Sequence, residues 1–142
     1  MKKALFGGLL LVAACSDLAG PENRQLELGT IVLGGNARIE APTQVGAGES
    51  FEVVVYTYGS SCYSFGKTEA MSGIREAVIR PFDWVEQTEG GLCFMELREF
   101  AHTVEVTFNL PGTGVIQVQG LDRTTPGQAD TVWVERAVEV LP

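Results

Sequence analysis

Four stretches of the chain alternate apolar and polar residues with a period of two. In "SFEVVVYTY" (50–58), Phe51, Val53, Val55 and Thr57 share one face, and Glu52, Val54, Tyr56 and Tyr58 share the other. In "HTVEVTFNL" (102–110), Val104, Val106 and Phe108 point one way and Thr103, Glu105 and Thr107 the other. "GVIQVQG" (114–120) sets Ile116 and Val118 against Gln117 and Gln119. "TVWVERAVEVL" (131–141) aligns Val132, Val134, Val138 and Val140, with Arg136 breaking the row. Successive side chains of a strand point to opposite faces, so this pattern predicts strands with one face buried. Val, Thr and aromatic residues dominate these runs, as a pleated surface favours. Less regular strand candidates are 26–33, 37–41, 63–71 and 74–82.

Turn-forming residues punctuate the runs at 34–36, 45–50, 59–61, 72–73, 89–91, 111–114 and 124–130. "NLPGTG" (109–114) lies between two clear strand runs and reads as a hairpin. No interior segment keeps a helical period over a useful length. The second half of "EQTEGGLCFMELREF" (86–100) reads as a single helical turn. There is no internal repeat. About eight short strands spaced near ten residues apart, without helices, predict an all-β, antiparallel sandwich of about 7–9 strands.

The start of the chain follows other rules. Met1-Lys2-Lys3 is a short basic segment, and residues 4–14 carry no charge. A membrane-crossing helix needs about 20 apolar residues, so this run has the length of a signal-peptide core instead. It ends in Val12-Ala13-Ala14-Cys15, which resembles the bacterial lipobox. That resemblance implies a signal peptide over 1–14, an acylated Cys15 and a polar tether through residue 25, with the folded domain over 26–142. It also implies that the protein is exported and joined to the membrane through lipid on Cys15. Two or more acyl chains give stable anchoring, at about 0.8 kcal/mol per buried CH₂. Ser16 is not the aspartate linked to inner-membrane retention in enterobacteria, so the resemblance favours the outer membrane.

With Cys15 carrying lipid, Cys62 and Cys93 remain as a pair. In an oxidising exported compartment the default is a disulfide; the alternatives are two free buried thiols or a metal site. The metal site lacks any CxxC pair, and His102 is the only imidazole. The stretches "APTQVGAGESFEVVVYTYG" (41–59) and "HTVEVTFNLPGTGVIQVQG" (102–120) resemble immunoglobulin-like and fibronectin-III-like modules of bacterial envelope proteins. The cysteine spacing departs from antibody domains, and Trp84 does not occupy the usual core position. A bridge from Cys62, after the 50–59 strand, to Cys93 would tie the long loop to one end of the sandwich.

Charge and chemistry narrow the function. The formal charge is −8, and loss of Lys2 and Lys3 would take it to −10. With no basic patch, nucleic acid is not an expected partner. His102 begins a strand run and reads as a polar residue at a strand edge. Ser60, Ser61 and Ser64 lie in a loop without a nucleophile-elbow context. Glu86, Glu89, Glu96 and Glu99 cluster around Cys93 without the calcium-loop spacing and read as a solvated acidic loop. Trp84, Phe82 and Tyr63 are the candidate partner-binding residues, since exposed aromatics on a β surface suit recognition. The expected function is a noncatalytic, lipid-anchored envelope module, protein-binding or structural, with no cofactor and no metal. One alternative is a protease-inhibitor-type module presenting loop 86–95. A weaker one is a metal-dependent or enzymatic envelope protein, which one histidine serves poorly.

Overall fold

The alternating runs fold as strands because their apolar faces have one another to cover. A computed structural model describes residues 23–87 and 92–142. The expected signal-peptide helix, the Cys15 anchor and residues 16–22 of the tether lie outside these residues. Within them the chain is all β, with ten strands and no helix: β1 (Arg24–Leu28), β2 (Thr30–Val32), β3 (Ile39–Glu40), β4 (Gln44–Gly46), β5 (Ser50–Gly59), β6 (Tyr63–Ser72), β7 (Glu76–Glu86), β8 (Arg98–Thr107), β9 (Gly112–Asp122) and β10 (Asp130–Leu141).

The arrangement is sandwich-like. In one layer β6 pairs with β7, β7 with β9, β9 with β10 and β10 with β4; β1 lies along the last part of β7, from Leu28 opposite Phe82 to Arg24 opposite Glu86. In the other, β5 pairs along its whole length with β8, and β3 flanks it. β2 stitches the two together: Thr30 bridges Tyr58 on β5 and Leu121 on β9.

Three expectations need correction. The described residues form ten strands, where about 7–9 were expected, because short segments at 30–32, 39–40 and 44–46 also pair. The sheet is mixed rather than antiparallel throughout, since β2–β9, β4–β10 and β7–β9 run parallel. And "NLPGTG" does not close a hairpin. β8 pairs with β5, whereas β9 pairs with β2, β7 and β10. The parallel β7–β9 pair and the missing hairpin share a cause: after β8 the chain crosses from one layer to the other. Phe108 makes the crossing favourable. Its ring is fully buried, 5.5 Å from that of Phe51. Because β8 belongs to the opposite layer, β7 and β9 are left side by side running the same way.

The core follows the period-two faces. Phe51, Val53 and Val55 of β5 meet Val106 of β8, Ile79 of β7, and Ile116 and Val118 of β9, with Ile31, Val138 and Val140 completing the cluster. β6 is an edge strand, and it carries Lys67 and Glu69, joined at 2.7 Å, where an unpaired edge would otherwise invite another chain. Gly114 shows how tightly the crossing is packed: a Cβ there would stand 2.5 Å from Phe108 Cε2. Gly114→Ala is therefore expected to cost about 1–3 kcal/mol through overpacking. A lower urea midpoint at unchanged slope would register this; an unshifted midpoint would mean the Phe108 ring has room to give.

Candidate functional site

Polar side chains converge at two places, one inside the sandwich and one at its end. The interior cluster draws on four strands. Asp83 occupies an inward position of β7, in phase with Ala77 and Ile79. His102 is inward on β8, in phase with Val106, and Thr57 is inward on β5, in phase with Val55. Asp83 and His102 are 1% and 0% exposed. His102 Nε2 lies 3.0 Å from Asp83 Oδ1 and 3.1 Å from Thr57 Oγ1; Nδ1 lies 2.7 Å from the Thr68 hydroxyl on β6. A carboxylate only accepts, so Nε2–H donates to Asp83. On the other side of the ring Nδ1 is hydrogen-bonded to the Thr68 hydroxyl. Phe65 covers the imidazole, with ring centroids 4.6 Å apart.

The strand-edge reading of His102 is thus corrected: it is interior. What makes this tolerable is the set of partners, since a buried polar group without them is costly. Asp83 Oδ2 finds no hydrogen-bond partner in the described structure. It lies against Gly29, where a Cβ would stand 3.0 Å away. The cluster joins β5 and β8 to β6 and β7, so it pins the two layers together.

The second convergence is the end where β5 stops and β6 starts. Cys62 and Cys93 are joined there, with Cα atoms 5.4 Å apart. The bridge ties the segment before β8 to the sandwich end, as its position in the sequence led one to expect. Ser61 reinforces it: its hydroxyl accepts the Phe94 N–H at 2.8 Å, and its N–H donates to the Phe94 carbonyl at 3.4 Å. The Ser60 hydroxyl accepts the Cys62 N–H at 3.4 Å. These loop serines serve local backbone bonds.

Beyond Cys93 the helical turn expected in this region does not form. Residues 92–97 have no regular structure, and β8 begins at Arg98. Fastened by the disulfide and by Ser61, this segment turns its apolar side chains outward. Met95 is 100% exposed, Leu92 88%, Phe94 73% and Leu97 65%. Behind them lies a groove of about 330 Å³ lined by Leu33, Tyr58, Tyr63, Met95, Leu97 and Arg123. Burial, and next the nearby Glu99 charge, push the Tyr58 hydroxyl above its ordinary pKa.

The three aromatic candidates do not form one patch. Tyr63 lines the groove. It stands opposite Val85 on β7, so Trp84, its neighbour in sequence, faces the other side of the sheet. Trp84 lies opposite Leu26, and Phe82 opposite Leu28; both rings are half-buried. The Lys67 ammonium sits 5.3 Å from the centre of the Phe82 ring. The exposed apolar segment was not anticipated, although its signal was present: "LCFMEL" is an apolar run with neither strand nor helix period, next to a cysteine.

The acidic residues around Cys93 do not converge. Glu86 pairs with Arg24 at 3.2 Å, Glu96 with Arg98 at 3.5 Å and Glu99 with Arg38 at 2.8 Å. Glu89 lies outside the described residues, as does part of the 86–95 inhibitor loop. Among the described residues, no three His, Cys, Asp or Glu side chains are placed to hold a metal ion. Comparison with protein-family models, with curated proteins and with solved structures finds no match for this chain.

Proposed function

We propose that this chain is a lipid-anchored protein of the bacterial cell envelope, in the outer membrane. Its immunoglobulin-like sandwich is noncatalytic and binds another envelope protein or holds a structural place there. The observation that carries this reading is Val12-Ala13-Ala14-Cys15 at the end of a short apolar run. The pairing of Cys62 with Cys93 supports it twice over. It takes up the other two of the chain's three cysteines. And a structural disulfide belongs to compartments outside the reducing cytoplasm. Ser16 after the cysteine favours the outer membrane. The noncatalytic part of the reading rests on His102. The chain's one imidazole is buried in the core and hydrogen-bonded to Asp83, Thr57 and Thr68, which supports a structural role for it.

Intact mass of the protein extracted from membranes, with and without reduction before alkylation, tests the reading. The expected chain starts at Cys15, carries added acyl mass, and gains two alkylated thiols only after reduction. An unacylated chain would overturn the anchor.

A further inference from the structure

The first strand determines which end of the sandwich receives the anchor. Arg24 of β1 stands opposite Glu86 of β7. The Gln87 N–H donates to the Asn23 carbonyl at 2.7 Å, and the Glu86 N–H donates to the Cys62 carbonyl at 2.9 Å. The chain therefore enters the domain beside the disulfide. Residues 16–22 separate Cys15 from Asn23. A stretch of that length reaches at most about 28 Å when fully extended, and about 15 Å root-mean-square as a flexible coil. On the lipid-anchored reading, on which this inference rests, the end held nearest the bilayer is the one that exposes Leu92, Phe94, Met95 and Leu97.

We propose that the segment 92–97 docks into the interface of the bilayer that carries the anchor. Its four apolar side chains are exposed without cover, and such patches mark interaction surfaces. The chain as a whole carries −8, but several carboxylates around the segment are paired with arginines. Arg24 pairs with Glu86, Arg98 with Glu96, and Arg123 with Glu27 at 3.5 Å. Each such pair lessens the repulsion between this end and anionic head groups. Tyr58 and Tyr63, in the groove behind the loop, are amphipathic residues of the kind enriched at membrane–water interfaces. The disulfide and the two Ser61 bonds already hold the loop, so docking costs little ordering entropy. Tethering then makes insertion an intramolecular event, and a contact too weak to bind alone becomes persistent. The domain is left with a fixed orientation, its β6–β7 turn pointing away from the membrane.

Photolabelling tests this with the acylated protein purified from membranes. The protein is reconstituted in phosphatidylethanolamine–phosphatidylglycerol vesicles containing a phosphatidylcholine with a diazirine in its acyl chain. After irradiation, carbene adducts are mapped by digestion, and part of the sample is reserved for intact mass. Most adducts are expected on 92–97, with few on Met71 and Ile74, which are also exposed but lie at the opposite end. Phe94→Ser with Met95→Ser should abolish the labelling while leaving the circular dichroism unchanged, because both side chains are in solvent. Acylated protein labelled equally at both ends would overturn the docking and leave the anchor standing. Protection of Met95 from oxidant in native membranes but not in protein-free vesicles would assign the loop to a protein partner and overturn the docking. Absence of acyl mass would overturn the anchor, and the docking with it.

Discussion

His102→Ala is expected to cost about 3–5 kcal/mol of folding stability, because it leaves the buried Asp83 carboxylate without its hydrogen-bonded partner. The Asp83 carboxylate would lose the Nε2–H that it accepts at 3.0 Å, and its second oxygen has no partner to compensate. Thr57 and Thr68 would each lose the ring nitrogen they bond. Against a typical total stability of about 5–15 kcal/mol, that loss leaves the domain marginal or unfolded. Chemical denaturation of the variant beside the parent chain measures it. Replacing both members, His102→Leu with Asp83→Leu, should recover much of the deficit, since an apolar pair leaves no stranded charge. A single variant as stable as the parent would show that water reaches Asp83 and that the cluster does not hold the layers. A double variant no better than the single one would place the energy in packing beneath Phe65 instead.

Cys62→Ser with Cys93→Ser is expected to lower stability by roughly 3.5–4 kcal/mol on the chain-entropy account, because it frees a closed loop spanning 31 residues. The urea midpoint of the variant, compared with the oxidised parent, checks the figure. The loss should also have an address. Segment 92–97 loses its covalent tie in the variant and keeps its Ser61 bonds and the Glu96–Arg98 pair, so limited proteolysis should cut there first. A fall in midpoint without new cleavage in this segment would mean that the bridge stabilises the sandwich but does not position the loop.

Much of the architecture could be read from alternation. The inward faces of β5 and β8 are the ones that the pattern picks out, because a two-residue period admits no other assignment once one face is apolar. His102 is in phase with Val104 and Val106, and parity alone places it inside; its polarity argued for an edge. The structure resolves the conflict with Asp83, Thr57 and Thr68, which come from three other strands and cannot be seen as neighbours in the sequence. The crossing after β8 was hidden for a related reason. "NLPGTG" has hairpin chemistry, and only the distant pairings of β8 with β5 and of β9 with β7 and β10 reveal that the turn joins two layers rather than two adjacent strands. At the disulfide end, cysteine counting found the bridge. The exposed loop stayed out of sight because an apolar run without a period is equally compatible with a helical turn or a buried strand.

The pairing of β5 with β8 has a consequence in time. Ser50 and Thr107 are 57 residues apart in the chain, yet their hydroxyls meet at 2.8 Å. The β6–β7 and β9–β10 hairpins close over short turns, while the β5–β8 ladder must wait for the entropy of a long loop to be overcome. Proteins dominated by such distant pairings fold in about milliseconds to seconds, far slower than helical bundles. Until the ladder forms, the β8-side backbone edge of β5 is unpaired and the apolar row Phe51–Val53–Val55 on its face is less fully covered, so both are open to other chains. The late, long-range closure, rather than the final contacts, sets the interval in which a newly made molecule is at risk of aggregation.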